Sequence, residues 1–152
     1  MNARERAKQE QSRVVVARRT QLAEAEAELE RREQEVLRCR EQQAEAGDRM
    51  LEETRDGTGA SRLVGHRTYL ADLRQIEQEL IAAVEQQQKV VVRCESELEH
   101  ALEGLREASK EFRVIEKHRE RWHDEQRREL TRREQKLSDE LAAILHERRP
   151  SE

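Results

Sequence analysis

Histidine is the residue type in this chain best suited to hold a metal ion or move a proton near neutral pH. Only His118 and His123 lie close together, and a separation of five residues places them on different faces of a helix. The sequence contains neither an HExxH nor a CxxC motif. We therefore expect no metal site, and we interpret all five histidines as solvated side chains: His66, His100, His118, His123 and His146.

The acidic residues follow a pattern that is structural rather than catalytic. Glu24, Glu28 and Arg32 succeed one another at intervals of four, the spacing of ion pairs along one side of a helix. The sequence shows no glycine-rich phosphate loop, nucleophile elbow or catalytic triad. We predict a protein that is not an enzyme and that binds no cofactor.

Apolar residues are scarce but regularly placed. Of the 152 residues 34% are hydrophobic, 42% are charged and 2% are aromatic, which is too little apolar material for a globular core. In the second half they form two seven-residue repeats, offset by three, and this pattern predicts a long helix packed along a narrow coiled-coil seam. The first repeat contains Leu63, Leu70, Val84, Val91, Leu98, Leu105 and Phe112, with Glu77 as its polar member; the second contains Leu73, Leu80, Cys94, Ala101, Ala108, Ile115 and Trp122, with Gln87.

The first half carries a weaker version of the same seam. We predict a first helix at about residues 3–54, opened by a capping box between Asn2 and Glu5. Its apolar positions are Val15, Leu22, Leu29, Val36 and Met50, with Ala25, Cys39 and Ala46 on the companion repeat, and it is interrupted by Arg18, Arg32 and Gln43.

Two glycines within Asp56–Ser61 predict a turn at about residues 55–61. Ser61 is the expected N-cap of a second helix at about 62–148, which Pro150 should stop. Because a short loop makes neighbouring helices antiparallel, we predict an all-α fold: a single, long, antiparallel two-helix coiled-coil hairpin over residues 1–152, with the second helix longer than the first.

The predicted hairpin pairs residues whose numbers add to about 116, so that Val36 lies level with Leu80. This register separates Cys39 and Cys94 by about 25 Å, which is too far for a disulfide bond. It also leaves the last ~35 residues of the second helix beyond the start of the first. Their apolar residues Leu130, Leu137, Leu141 and Ile144 then have no partner within the chain, and we expect an external helical or groove partner for them.

Charge is unevenly distributed over a net charge of −4. Residues 1–19 carry +4 and residues 113–136 carry +3, whereas 20–112 carry −9 and 137–152 carry −2. A hairpin brings the two basic segments to the same end, which would favour an acidic partner there. Acidic residues are interspersed among Arg4, Arg6, Lys8 and Arg13, unlike the dense block of basic-zipper proteins, so we expect no nucleic-acid binding. No apolar run is long enough to span a membrane, and no signal peptide is present.

Trp122 allows two interpretations. Its place on the second repeat favours burial in the seam. Its position among basic residues in the unpartnered segment favours a contact with another protein, because tryptophan and arginine are common in binding hot spots.

From His66 to Ala142 the sequence resembles the FliJ family, the coiled-coil component of flagellar type III export. The resemblance rests on Tyr69, Leu70 and Leu73, on Ile81 with Gln86–Gln88, on Glu107, Ala108, Glu111 and Phe112, on Ile115–Lys117, and above all on the polar run Arg132–Ala142. Injectisome relatives of the YscO and HrpO type share this architecture, so an injectisome stalk is the alternative, and a homodimeric coiled-coil spacer is a second alternative.

The resemblance implies a cytoplasmic stalk, peripherally associated with the inner-membrane export apparatus. Its partners would be the hexameric export ATPase, the cytoplasmic domain of the membrane export gate and export chaperones, with no nucleic acid and no insertion into the membrane. The stalk analogy puts both chain termini at the ATPase. We accordingly predict that Arg4, Arg13, Trp122, Arg128, Arg132, Arg133, Gln135 and Lys136 contact it.

Overall fold

The computed structural model describes residues 2–57 and 59–148. They form two antiparallel helices, α1 (Ala3–Arg55) and α2 (Ala60–Glu147), and contain no strand. The predicted fold is confirmed: an all-α hairpin in which the second helix is the longer. Gly47 lies inside α1 without ending it. The helix stop predicted at Pro150 lies outside the described residues.

The helix ends show which caps the sequence uses. Asn2 accepts a hydrogen bond from the backbone N–H of Arg4 at 3.4 Å, so it caps α1. The bond comes from Arg4 and not from Glu5, the partner that a capping box predicts. Gly57 follows α1 with a φ of +78°, a conformation that glycine adopts without strain. The prediction of Ser61 as an N-cap is wrong. Ser61 lies inside the first turn of α2, and the carbonyl of Gly59 accepts the first bonds of that helix, from Arg62 and Leu63.

The chain divides into two compact units. The first, called the body here, is Glu10–Leu105 and contains the hairpin bend. Its seam is defined by contacts between α1 and α2: Arg18 with Glu97, and Arg32 with the carbonyl of Ala83. Both pairs of residue numbers add to 115, close to the predicted 116. The residues most deeply buried in the body are Val15, Ala25, Val36, Cys39, Ala46, Leu73, Gln87, Val91 and Ala101.

The second unit, called the terminal unit here, combines the chain before Glu10 with the chain after Leu105. Arg4 forms an ion pair with Glu111, and the ammonium group of Lys8 lies 4.9 Å from the ring centre of Phe112. Ile115 is half-buried. Every described residue from Glu116 to Arg148 is exposed, because α1 begins at Ala3, close to the level at which Arg4 pairs with Glu111.

The fourteen positions that the sequence assigns to the seam are each buried or half-buried. They are Val15, Leu22, Leu29, Val36, Leu63, Leu70, Leu73, Leu80, Val84, Val91, Leu98, Leu105, Phe112 and Ile115. Within the described chain, no helix combines the length and apolar character needed to cross a membrane.

Candidate partner interface

The segment from Glu116 to Arg148, which is the last part of α2 and the residue after it, is called the exposed segment here, and no other part of the described chain packs against it. Good helix formers and ion pairs along its own surface support its helical conformation. Arg127 contacts Asp124 at 2.5 Å and Arg133 contacts Glu129 at 3.2 Å. Such exposed pairs contribute only about 0.3–0.5 kcal/mol each, so a partner that buries this helix would stabilise it much further.

One face of the exposed segment is apolar. Leu130, Leu137, Leu141 and Ile144 are spaced by seven, four and three residues, which places them in a single stripe on the helix. All four are exposed; Leu137, for example, retains 60% of its accessible surface. A stripe of this kind is the usual signature of a helix that packs into an apolar groove or against another helix.

Trp122 is 56% exposed and is therefore not buried in the seam of the chain. Its indole lies edge-on to the ring of His123, with 5.0 Å between ring centres, and it borders a shallow depression with Arg127 and Leu130. Of the two interpretations that the sequence allowed, burial in the seam is wrong, because the first helix begins too late in the chain to cover this position. The contact with another protein stays a prediction.

The predicted contact residues of the exposed segment occupy more than one face. Arg128, Arg132 and Lys136 follow one another at intervals of four and share the side of the helix away from the leucine stripe, with Gln135 beside them. Arg133 lies near the leucine stripe and donates a hydrogen bond to Glu129. The segment therefore offers a basic face and an apolar face to its surroundings.

The two predicted N-terminal contacts are placed differently. Arg4 belongs to the terminal unit and is paired with Glu111, although half of its side chain stays exposed. Arg13 belongs to the body, where its nearest acidic partner is Glu10 at 3.8 Å. The structure thus assigns Arg4, and not Arg13, to the unit that carries Trp122.

Sequence reasoning missed a polar cluster inside the body. Arg40 donates a hydrogen bond to Glu77 at 2.7 Å, and Gln43 donates to the other oxygen of the same carboxylate at 2.9 Å. These two bonds, from Arg40 first, hold the pKa of Glu77 below its ordinary value of 4.5. Gln43 and Glu77 were both visible as breaks in the apolar repeats, and the missed signal was that the two breaks face each other.

The other breaks in the repeats are satisfied in the same way. Gln87 is buried and donates to the carbonyl of Ala25 at 2.9 Å. Arg32 donates to the carbonyl of Ala83 at 3.0 Å, and Arg18 to Glu97 at 2.7 Å. Each polar residue in the seam therefore fixes the level of one helix against the other.

The structure shows how the metal-ligating and thiol side chains are placed in the part of the chain that it describes. No group of three or more histidine, cysteine, aspartate or glutamate side chains there could hold a metal ion. Both cysteines are free thiols, and the buried Cys39 lies 3.4 Å from the carbonyl oxygen of Leu73.

Taken together, the described residues define a coiled-coil hairpin whose longer helix carries an exposed segment with an apolar face and a basic face. The chain belongs to the YscO-like family, whose model matches residues 1–151. It is a stalk-like component of type III secretion, from a family of structural proteins. The narrower resemblance to FliJ is not confirmed by this match and stays a prediction.

A solved structure supports the same assignment. The chain is similar to a protein described as a YscO homolog, CT670 from Chlamydia trachomatis, with 25% sequence identity and a TM-score of 0.77. The likeness covers 95% of this chain and 89% of that one. No curated protein matches the chain in sequence.

Proposed function

We propose that this chain is the cytoplasmic stalk of a type III export apparatus, and that it binds the hexameric export ATPase through its terminal unit. The observation that carries the proposal is the exposed segment, in which 33 consecutive residues from Glu116 to Arg148 lie open while carrying an apolar stripe and a basic face. Membership in the YscO-like family supplies the type III secretion context.

The chemistry of the exposed segment suits an acidic protein ring. Arg128, Arg132 and Lys136 can form charge-assisted hydrogen bonds with carboxylates, and Trp122 can fill an apolar pocket beside them. Arg4 adds a partly exposed guanidinium in the same unit. Steering by these charges predicts an association rate that falls as salt is added.

The proposal is tested with the purified chain and its cognate export ATPase at low salt. We expect the chain to raise both the hexamer population and the ATPase rate. The variant with Arg128, Arg132 and Lys136 changed to glutamate should lose most of this effect. A matched control changes three exposed basic residues of the body, Arg38, Arg62 and Lys89, to glutamate and should retain it.

The possible outcomes distinguish the stalk function of the protein from the assignment of ATPase binding to the basic face of the exposed segment. If neither the wild-type chain nor the control changes the ATPase, the stalk proposal is wrong. If all three proteins act equally, the stalk role survives but its assignment to the basic face of the exposed segment does not.

Between the two type III systems, the family match and the likeness to a YscO homolog favour an injectisome. The polar run Arg132–Ala142 resembles the flagellar family and keeps a flagellar stalk as the second candidate. Affinity measured in parallel against an injectisome ATPase and a flagellar ATPase from the same cell decides between them, since a stalk should prefer its own ring.

A stalk of this kind would also contact the cytoplasmic domain of the export gate and exchange export chaperones, at the inner-membrane apparatus. The support is the family resemblance. Each of these proteins can be co-purified with the wild-type chain and with the variant that has Arg128, Arg132 and Lys136 changed to glutamate. A partner that binds both chains equally uses a surface different from the one proposed for the ATPase.

A further inference from the structure

A groove on one side of the body remains open after the hairpin has formed. Leu37 of α1 and Ile81 and Val84 of α2 line it, between Glu33 and Glu85 at one end and Arg40 at the other. Leu37 keeps 48% of its surface, and Val92 extends the apolar surface along α2 through a neighbouring depression. This groove lies entirely within Glu10–Leu105 and plays no part in the proposed contact with the ATPase.

The charges along this groove have an ordered arrangement. Ile81 and Gln88 are seven residues apart, and the same spacing extends the row to Arg74 and Arg67 in one direction and to Glu95 in the other. In a coiled coil, residues at this spacing line the same side of the helix. The row therefore runs from positive charge, through an apolar centre at Ile81, to negative charge.

When a second copy of this row is placed beside it in the opposite direction, positive residues face negative ones. We propose that the groove is a self-association surface, in which two copies of the chain pack antiparallel about a two-fold axis at Ile81. Arg67 and Glu95 each lie fourteen residues from Ile81, so each Arg67 faces the Glu95 of the second copy. Ile81 then packs against its symmetry mate, and Leu37 and Val84 contribute apolar surface about three residues to either side of the axis of this isologous interface.

The opposite, parallel arrangement of two copies is disfavoured by the same charges. There α2 of one copy would lie over α1 of the other at the same level. The contact between Arg40 and Glu77 shows that Arg40 lies near the level of Arg74, so two arginines would meet. Glu85 would similarly meet Glu33, which lines the same end of the groove. Like charges at such distances repel. The antiparallel pair also brings the two copies of Glu33 close together near the axis, but it offsets this with two contacts between Arg67 and Glu95, so it is the favoured arrangement.

Sedimentation equilibrium of the full chain at low salt tests this proposal, over a range from micromolar to several hundred micromolar protein. We expect a reversible monomer–dimer equilibrium. Arg67→Glu introduces two like-charge contacts per dimer and should weaken it by about tenfold. Combining Arg67→Glu with Glu95→Arg restores opposite charges and should restore the wild-type dissociation constant.

The control is Arg93→Glu, which makes the same charge change on a groove at the other side of the hairpin and should leave the equilibrium unaltered. Circular dichroism confirms that each variant keeps its helix content. A wild-type chain that stays monomeric throughout overturns the proposal and leaves the groove to a different partner. A dimer that ignores Arg67→Glu, or that the double exchange fails to restore, overturns it as well. None of these outcomes depends on binding to the ATPase.

Discussion

Gln43 of α1 and Glu77 of α2 meet across the coiled-coil seam, where the amide of Gln43 donates to the carboxylate at 2.9 Å and to the carbonyl of Leu73 at 3.3 Å. Each residue alone interrupts an apolar repeat. Together with Arg40 they form hydrogen bonds with one another. This polar layer therefore reduces the stability of the seam less than two polar groups without hydrogen-bond partners would.

The first prediction concerns the stability of the hairpin in acid. Because the folded state holds the pKa of Glu77 below 4.5, the charged carboxylate stabilises the fold. This contribution is complete above the unfolded value of about 4.5 and is lost as pH falls through the lower folded value. We therefore expect the melting temperature of the wild-type chain to exceed that of Glu77→Gln by a constant amount above about pH 5.5, and the difference to shrink below pH 4.5.

Thermal melts of both proteins in one buffer series measure this difference. The other carboxylates are the same in both proteins, so their contribution to the pH dependence cancels in the difference. Glu79→Gln, a change at an exposed neighbour that makes no contact with α1 among the bonds of the described residues, serves as the control and should show no such pH dependence. A wild-type advantage that grows towards low pH would contradict the assigned role of Glu77.

The sequence was sufficient to predict the hairpin, because a seven-residue apolar repeat has few other solutions and the only cluster of turn residues lies between the two repeats. It could not show that Gln43 and Glu77 pair. A polar residue that interrupts a repeat looks the same in the sequence whether or not its side chain has a hydrogen-bond partner. The pairing also depends on the register of the two helices, which the sequence gives only to within a few residues.

Local details at the helix ends were harder to predict. Ser61 has the side chain of a good N-cap, yet Gly59 provides the first carbonyl, because α2 begins as soon as the bend permits. Trp122 occupies a seam position by its spacing, but spacing along one helix does not tell where the partner helix begins. Its exposure follows from the position of Ala3, which belongs to another part of the chain.

The second prediction concerns Gln87, which is buried in the seam and bonds the carbonyl of Ala25. Gln87→Leu replaces this amide with an apolar side chain in an apolar seam and should raise the free energy of unfolding by about 1 kcal/mol. It should also weaken the preference for one register, since polar groups in a seam specify alignment at a cost in stability.

Urea unfolding measures the change in stability. The register is followed by distances between spin labels at the exposed positions 42 and 75, which lie at the same level, with both native cysteines replaced by alanine. We expect one narrow distance in the parent and a broader distribution in the Gln87→Leu variant. A lower free energy of unfolding would contradict the expected stabilisation, and an unchanged, narrow distance would show that Gln87 is not a register determinant.

The third prediction separates the seam from the exposed segment. Leu73 is 5% exposed, so Leu73→Ala should cost about 2–5 kcal/mol in the free energy of unfolding. Leu137→Ala makes the same chemical change in the exposed segment and should alter stability by at most about 0.5 kcal/mol. Chemical denaturation of both variants provides the comparison. Equal losses would mean that Leu137 is covered within the chain.

The last prediction uses Trp122, the only tryptophan of the chain, as both probe and contact. Because its indole is largely exposed, its fluorescence should shift to shorter wavelength and become less accessible to acrylamide when the export ATPase covers it. Trp122→Ala should weaken that binding by roughly ten- to a hundredfold, the range of a buried aromatic anchor, and leave the melting temperature unchanged. A variant with full affinity and an unshifted wild-type spectrum would place the ATPase contact elsewhere on the chain, whereas a lowered melting temperature would mean that Trp122 supports the helix itself.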